Sequence, residues 1–443
     1  MSSNRTLVPR VGAGSLSSPL EVGADRAPAV AADLAGRLRY AGCEVIECGA
    51  IDTPGRAVEA GRKLAAERID AVALAPASWC EDYLALDLLE ECPAPLLLWP
   101  QPGMETGALC GTQQLTAYLK QLEHPYQSAF GALDDEGCLA KAMVFLRAAA
   151  LKGRLRRARV GMAGHRVRGM TYTAPNEIML KKAVGPRVVM LDLPLLLERA
   201  GKMPEAEART RWQEVVGRAG ACKVGEAEGL DSMRMYAAVK EQVREHALDA
   251  LTIGCYPHLM GRVCLAASLL ADEGIPLACE GDVNGAVGQL VLTLLSGGPT
   301  HNTDWLDPME DGTVVFTHCG SGSFGLAERQ SDITLDAVRL MGRGVCALFP
   351  AKPGPVTLMG FVPHPNGYQC ALLEGEALPA KMVFPGNPVR VRFDIPTADL
   401  IEWIHAQGVG HHWMIGYGHW GAEVRAWAGI VGPALRLVEP RDG

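Results

Sequence analysis

The sequence predicts an α/β protein in which two doubly wound α/β units precede a C-terminal antiparallel β region. Three observations predict it. Up to Trp305, short apolar runs alternate with helical stretches, the pattern of buried parallel strands joined by helical crossovers. Beyond about residue 310 the helices thin out, and several strands alternate apolar and polar residues, as in a small antiparallel barrel or sandwich. The 443-residue length admits about three domains at roughly 150 residues each.

In the first unit, Ala27–Tyr40 reads as a helix and Cys43–Cys48 (CEVIEC) as a strand. Pro54–Glu67 reads as a helix with Ala, Arg and Lys on its exposed face. Ile69–Ala75 (IDAVALA) and Ala94–Trp99 (APLLLW) are apolar runs, each followed by Pro or a small residue, and fit buried parallel strands. Leu151–Arg159 (LKGRLRRAR) is basic and polar; it reads as a linker or a solvated helix end and marks a boundary near 155. The second unit repeats the pattern. Val160–Gly164, Arg187–Leu193, Asp249–Cys255 and Ile275–Glu280 read as strands, and Pro204–Ala219, Met233–Leu248, Met260–Ala271 and Asn284–Leu295 as helices. A short extended segment follows at His301–Trp305. After about 310, Thr313–Cys319, Val356–Val362, Tyr368–Gly375 and Pro388–Ile395 are strands spaced by turns. Thr397–Gln407 is helical, and Gly408–Trp420 is strand-like. The expected domains are 1–155, 156–310 and 311–443, with no internal repeat.

Composition narrows the function. Hydrophobic residues are 48% and charged residues 21%, a globular balance that excludes disordered and fibrous classes. The 42 basic residues against 50 acidic ones leave a net charge of −8 without a basic block, which argues against a nucleic-acid partner. No run approaches the roughly 18 apolar residues of a membrane helix. The N-terminal MSSNRTLVPRVGAGSLSS lacks the apolar core of a signal peptide, so the expected location is cytoplasmic, with no membrane partner. The 13 cysteines are scattered without a CxxC pair and read as reduced, buried thiols.

Chemistry concentrates in three places. Glu280 ends an apolar strand in Cys279-Glu280-Gly281-Asp282-Val283-Asn284-Gly285-Ala286, and carboxyl ends of strands line the crevice of an open α/β sheet. Asp304 falls 24 residues later, after one crossover, at the next strand. Two carboxylates facing one crevice repel each other unless a cation or a proton is shared, and hard divalent cations such as Mg²⁺ or Mn²⁺ prefer oxygen ligands. The third place holds His411, His412 and His419; neighbours on a strand face opposite ways, so only one of His411 and His412 can face a given pocket. Two other patterns carry less. Gly320–Gly325 (GSGSFG) matches G-x-G-x-x-G but has no helix after it and no acidic residue about 20 positions on, so it reads as a glycine turn. Ser321 and Ser323 near His318 lack a G-x-S-x-G elbow, so a serine hydrolase is not expected.

At these residues the sequence resembles the L-fucose isomerase / L-arabinose isomerase family, the fucose isomerase branch more closely. The resemblance is carried by ACEGDVNGA (Ala278–Ala286), by Asp304 in NTDW followed by VVFTHCG (Val314–Gly320), and by HHWMIGYGHWGAE (His411–Glu423), over roughly residues 250–425. It implies two Rossmann-like domains and a β-barrel domain. It also implies a homo-oligomer, trimer or hexamer, whose active sites lie near subunit interfaces with help from a neighbour's first domain. Glu280, Asp304 and His412 would be the metal ligands, His412 rather than His411 because of its spacing to the later Gly-His. Glu280 and Asp304 would also be the proton-transfer pair, and the metal would be Mn²⁺. The implied activity is aldose–ketose isomerisation of a small sugar through a cis-enediol(ate).

The chain is shorter than typical L-fucose isomerases, mostly in its N-terminal half, so the sugar does not follow from the resemblance. Gln113, beside Gln114, is a candidate to reach a neighbour's site. Arg166 and Arg168, after the first strand of the second unit, are candidates to meet an anionic sugar group such as phosphate or sulfonate. Asn284, Trp305 and His419, within the motifs, are further substrate-facing candidates. Two other readings share the scaffold: epimerase or aldol-type lyase chemistry, and sugar binding without catalysis, for which a metal-ligand triad would serve no purpose.

Overall fold

The computed structural model describes residues 7–440; the first six residues of the segment read above for a signal peptide lie outside them. The described chain forms two compact units, one of 7–154 with 422–432, the other of 155–421 with 433–440.

The first unit is built on a five-stranded parallel sheet in the order Glu44–Ile51, Arg10–Leu16, Ala71–Pro76, Leu96–Leu98, Tyr126–Ser128. The first strand of the chain lies inside the sheet, so the connections reverse direction beside it, which is the doubly wound plan. Leu16, Leu74 and Leu98 from the strands and Leu64 and Leu88 from the helices make its buried core. Helix Pro54–Ala66 starts where expected because Thr53 caps it, accepting from the Arg56 N–H, and Pro54 needs no donor in the first turn. The strand Arg10–Leu16 (RVGAGSL) was not foreseen. Its glycines and serine interrupt any apolar run, although six of its seven residues are buried. The basic stretch after Leu151 proves to be the end of a 22-residue helix, Glu136–Arg157, not a linker. Within this unit Arg147 pairs with Glu423 and Lys152 donates to the Ile430 carbonyl, fastening the C-terminal helical segment to it.

The second unit holds three sheets. A parallel sheet runs in the order Leu277–Ala278, Ala250–Ile253, Arg159–Ala163, Arg187–Leu191. A small sheet joins Arg343–Leu348, Thr334–Val338 and Ala221–Cys222. The largest sheet has seven strands in the order Gly354–His364, His412–Tyr417, Thr300–Pro308, Val314–Thr317, Val389–Arg392, Gly367–Leu378, Leu435–Val438, with Gly354–His364 and Gly367–Leu378 also forming a hairpin. Six of these strands pair antiparallel, and Leu435–Val438 joins Gly367–Leu378 in parallel, so the sheet is mixed rather than wholly antiparallel. Alternation of apolar and polar residues reports a face toward water, not strand direction, which is why the sequence did not distinguish the two.

Helix Val283–Ser296 links the parallel and mixed sheets. All its residues but the last are buried, and its Gly288 face packs on Met414. Gln289 Nε2 donates to the Thr300 carbonyl, tying the helix to the strand that carries Asp304. The first turn of this helix is therefore held against the strands that carry Asp304 and His412.

Candidate metal centre

Glu280 leaves its strand through a left-handed backbone, with φ 67°, followed by Gly281 at φ 74°. A left-handed non-glycine residue costs roughly 1–2 kcal/mol, and here the turn is fixed because the Glu280 carbonyl accepts from the Val167 N–H at 3.2 Å. Gly281 cannot be replaced without movement: a Cβ there would lie 2.6 Å from the His165 carbonyl oxygen. Asp282 caps the buried helix, its Oδ1 accepting from the Gly285 N–H at 2.9 Å. Its Oδ2 lies 2.8 Å from His412 Nδ1. A carboxylate only accepts, so Nδ1 carries the proton and Nε2 is presented as a lone pair or a second donor. Gly285 makes room for this arrangement, since a Cβ there would stand 2.7 Å from Asp282 Oδ2.

Strand register supplies the other side. Asp304 pairs with His412 on one neighbouring strand and Thr317 on the other, and cross-strand partners share a face. Asp304 Oδ1 is 3.6 Å from His412 Nε2 and 3.9 Å from His411 Nε2, while its Oδ2 is 3.9 Å from His318 Nε2. Glu280 Oε2 is 3.4 Å from His412 Nε2. Two overlapping sets of donors result, Glu280 with His318 and His412, and Asp304 with His411 and His412, each with its atoms within 4.8 Å of one another.

The electrostatics follow from this crowding. Burial alone would lower both inner imidazoles. His412 is instead pushed up to about 10 by its hydrogen bond to Asp282 and by the Glu280 carboxylate beside it, and His318 to about 9 by Cys319 and Asp304. Burial works to raise Glu280, but His412 and His318 outweigh it and hold the carboxyl below its usual range. His411 is lowered by burial and by the charge of His412. Tyr172 crosses edge-on to both His411 and His412, and its hydroxyl lies 3.2 Å from His411 Nδ1. Burial, then Asp282, raises its phenol, so it stays neutral.

The donor set fits a divalent metal. Asp304 Oδ1, His412 Nε2 and His318 Nδ1 are buried and lack a hydrogen-bond partner. Such orphaned atoms cost about 1–3 kcal/mol each unless something engages them. Carboxylate oxygens with imidazole nitrogens suit Mn²⁺ and its first-row neighbours. Because His412 is protonated at neutral pH without a metal, binding there would release that proton, and affinity would rise with pH toward 10. With a metal on His412 Nε2, Asp282 would complete a carboxylate–histidine–metal relay. Asp282→Asn is expected to weaken Mn²⁺ binding about 10- to 100-fold in calorimetric titration; unchanged affinity would mean that Asp282 does not orient the imidazole.

The structure brings Glu280, Asp304, His411 and His412 together, and Asn284 lies close by, its Nδ2 donating to the Tyr172 carbonyl at 3.4 Å with its Oδ1 unpartnered. Arg166 and Arg168 occupy the loop beside Glu280. Trp305 is not brought to this cluster. It packs with Phe316, Phe393 and Trp413 in the apolar core of the mixed sheet, on the strand face opposite Asp304. His419 is exposed and 3.6 Å from Glu374, past the far end of the His412–Tyr417 strand. Gln113 is exposed on helix Ala108–Gln121 of the first unit. Ser323 of the glycine turn is bonded to Asp272, and Ser321 lies 3.5 Å from Cys279 Sγ, so the turn is engaged in packing. Three residues of the cluster escaped the sequence reading. His318 was noted only as a neighbour of serines and within the VVFTHCG motif, Asp282 only as part of a motif, and Tyr172 not at all. An Asp three residues before Gly285, at a helix start, carried a capping signal that could have marked Asp282.

The fold and this cluster define a mixed α/β protein with a carboxylate–histidine group able to hold a metal ion. No protein-family model matches the chain. It is similar over most of its length to curated bacterial proteins named sulfoquinovose isomerase. The one from Priestia aryabhattai is 26% identical over 371 residues, which cover 79% of this chain and 81% of that protein. Those from Alkalicoccus urumqiensis and Clostridium sp. (strain MSTE9) are each 25% identical, covering 75% and 73% of this chain and 77% and 76% of theirs. By name these relatives are sugar isomerases. Among the described residues no helix is long and apolar enough to cross a membrane.

Proposed function

We propose that the protein is a metal-dependent aldose–ketose isomerase. It would interconvert an open-chain aldose, sulfonated as in the sugar that names its relatives, with the matching ketose through a cis-enediol(ate). The observation that carries this reading is the approach of both Glu280 and Asp304 to His412 Nε2, a buried atom left without a hydrogen-bond partner. These three residues would hold the divalent ion, Mn²⁺ by the family resemblance. When bound, the ion supplies Lewis acidity that polarises the sugar carbonyl and offsets developing negative charge.

The chain's own groups do the rest. Glu280 is ionised at neutral pH, the state in which a carboxylate can accept a proton from carbon. Asp304 approaches His412 Nε2 from the neighbouring strand, so two carboxylates flank one imidazole nitrogen. One of the pair removes the proton from C2 of the aldose and the pair returns it to C1, while the hydroxyl proton passes from O2 to O1, so that C2 becomes the carbonyl. His412 completes the ligand set without adding negative charge, in an orientation fixed by Asp282. Tyr172, neutral and hydrogen-bonded to His411, lies against the imidazole pair. The homo-oligomer and cytoplasmic location implied by the sequence belong to the same reading.

The test is a panel of aldoses and ketoses with the Mn²⁺-loaded protein in D₂O, followed by NMR. The panel should hold L-fucose, D-arabinose, L-arabinose and sulfonated or phosphorylated hexoses. A ketose formed from a sulfonated aldose, with solvent deuterium at C1, is the expected result. Exchange at C2 that returns only a second aldose would favour an epimerase. Absence of both conversion and exchange across the panel would remove the proposal.

A further inference from the structure

We propose that Arg166 and Arg168 form a subsite for a terminal oxyanion of the sugar, at the end away from the reacting carbons; this rests on the isomerase reading above. Their loop follows the strand Arg159–Ala163 and is clamped to the strand ends of the site. A Cβ on Gly254 would stand 2.2 Å from the His165 carbonyl oxygen, and one on Gly281 would stand 2.7 Å from Arg166 Cα. The backbone at 165–166 therefore lies directly against the residues that precede Cys255 and follow Glu280. The Val167 N–H bond to the Glu280 carbonyl adds a third tie.

The backbone is fixed while the guanidinium groups remain available. Among the described residues neither arginine pairs with an acid. Arg166 is half-buried and donates only to the Val167 carbonyl at 3.3 Å, and Arg168 is exposed and has no hydrogen bond or ion pair. Elsewhere in the chain Arg10, Arg199, Arg262 and Arg390 each hold a carboxylate. The carboxylates of the site do not neutralise the two loop arginines either, since Glu280, Asp282 and Asp304 are paired with histidines alone.

Chemistry gives these cations a purpose. A sugar that carries its own negative charge is repelled by a site built from three carboxylates, and the repulsion grows as water is excluded. Cations at the rim of the site offset it and raise the local concentration of an anionic substrate. A guanidinium also presents parallel N–H donors that match two oxygens of a sulfonate or phosphate. Sulfonate and phosphate share this chemistry, so both belong in the test.

The experiment compares the metal-loaded wild type with Arg166→Ala, Arg168→Ala and the double variant on 6-sulfonated, 6-phosphorylated and uncharged glucose. KM for an anionic aldose is expected to rise about 10- to 100-fold in the double variant, with a much smaller change in kcat. The ratio of kcat/KM between anionic and uncharged sugar should fall with it. A loss confined to the sulfonated sugar would assign the subsite to sulfonate, and an equal loss on both anions would assign it to oxyanions in general. An anionic KM unchanged in the double variant, or in exposed Arg168→Ala together with Arg166→Lys should Arg166→Ala not fold, would overturn the proposal. A wild type that converts none of these aldoses would remove the isomerase reading and this proposal with it, a result distinguishable from retained conversion with unchanged selectivity.

Discussion

Glu280→Gln is expected to lower isomerase turnover by roughly 10³- to 10⁴-fold, measured by NMR at saturating Mn²⁺, and Asp304→Asn by a similar factor. The amide keeps the shape of each side chain and removes its capacity to accept a proton from carbon. It also removes one negative donor from the set around His412, so Mn²⁺ affinity must be measured in parallel and the comparison made with the metal bound. At Glu280 the amide should stay where the carboxylate was, because the residue sits in a left-handed turn fixed by Val167. Deuterium exchange at the sugar's C2 should vanish together with turnover. Full activity in a metal-free Glu280→Gln variant would sink the assignment.

Chelation should have the second large effect. EDTA is expected to abolish turnover, and Mn²⁺ to restore it. The same treatment should lower Tm, since a ligand present at about 100 times its Kd stabilises the folded state by about 2.7 kcal/mol. The physical cause lies in the crowding of the centre: Glu280, Asp282 and Asp304 meet His318, His411 and His412 with several buried atoms unpartnered. An enzyme that kept its rate and its Tm through exhaustive chelation would not use these residues as metal ligands.

Much of this was legible in the sequence, for local reasons. Apolar runs ending in small residues marked the strands, and the helix from Thr397 to Gln407 was read to its ends because its periodicity is uninterrupted. Glu280, Asp304 and His412 stood out through their motifs. The unread parts are those that depend on pairing at a distance. Thr334–Val338 and Arg343–Leu348 form a ladder that neither segment announces alone. His318 reaches Asp304 only because Val314–Thr317 lies beside Thr300–Pro308 in one register. The misplacement of Trp305 has a simpler cause. Adjacent residues on a strand face opposite ways, so a site at Asp304 turns Trp305 toward the core.

The hydrogen bond between Asp282 and His412 joins residues 130 positions apart. Closing a chain segment of that length costs on the order of 4 kcal/mol in entropy, a cost that contacts near the site must offset before the mixed sheet can settle on the helix. The candidate metal ligands and Asp282 thus lie at the two ends of this long loop. An ion drawn to them would act as a clasp on that closure. In a living cell the supply of metal would then govern not only how fast the protein works but how often its C-terminal half opens to proteases.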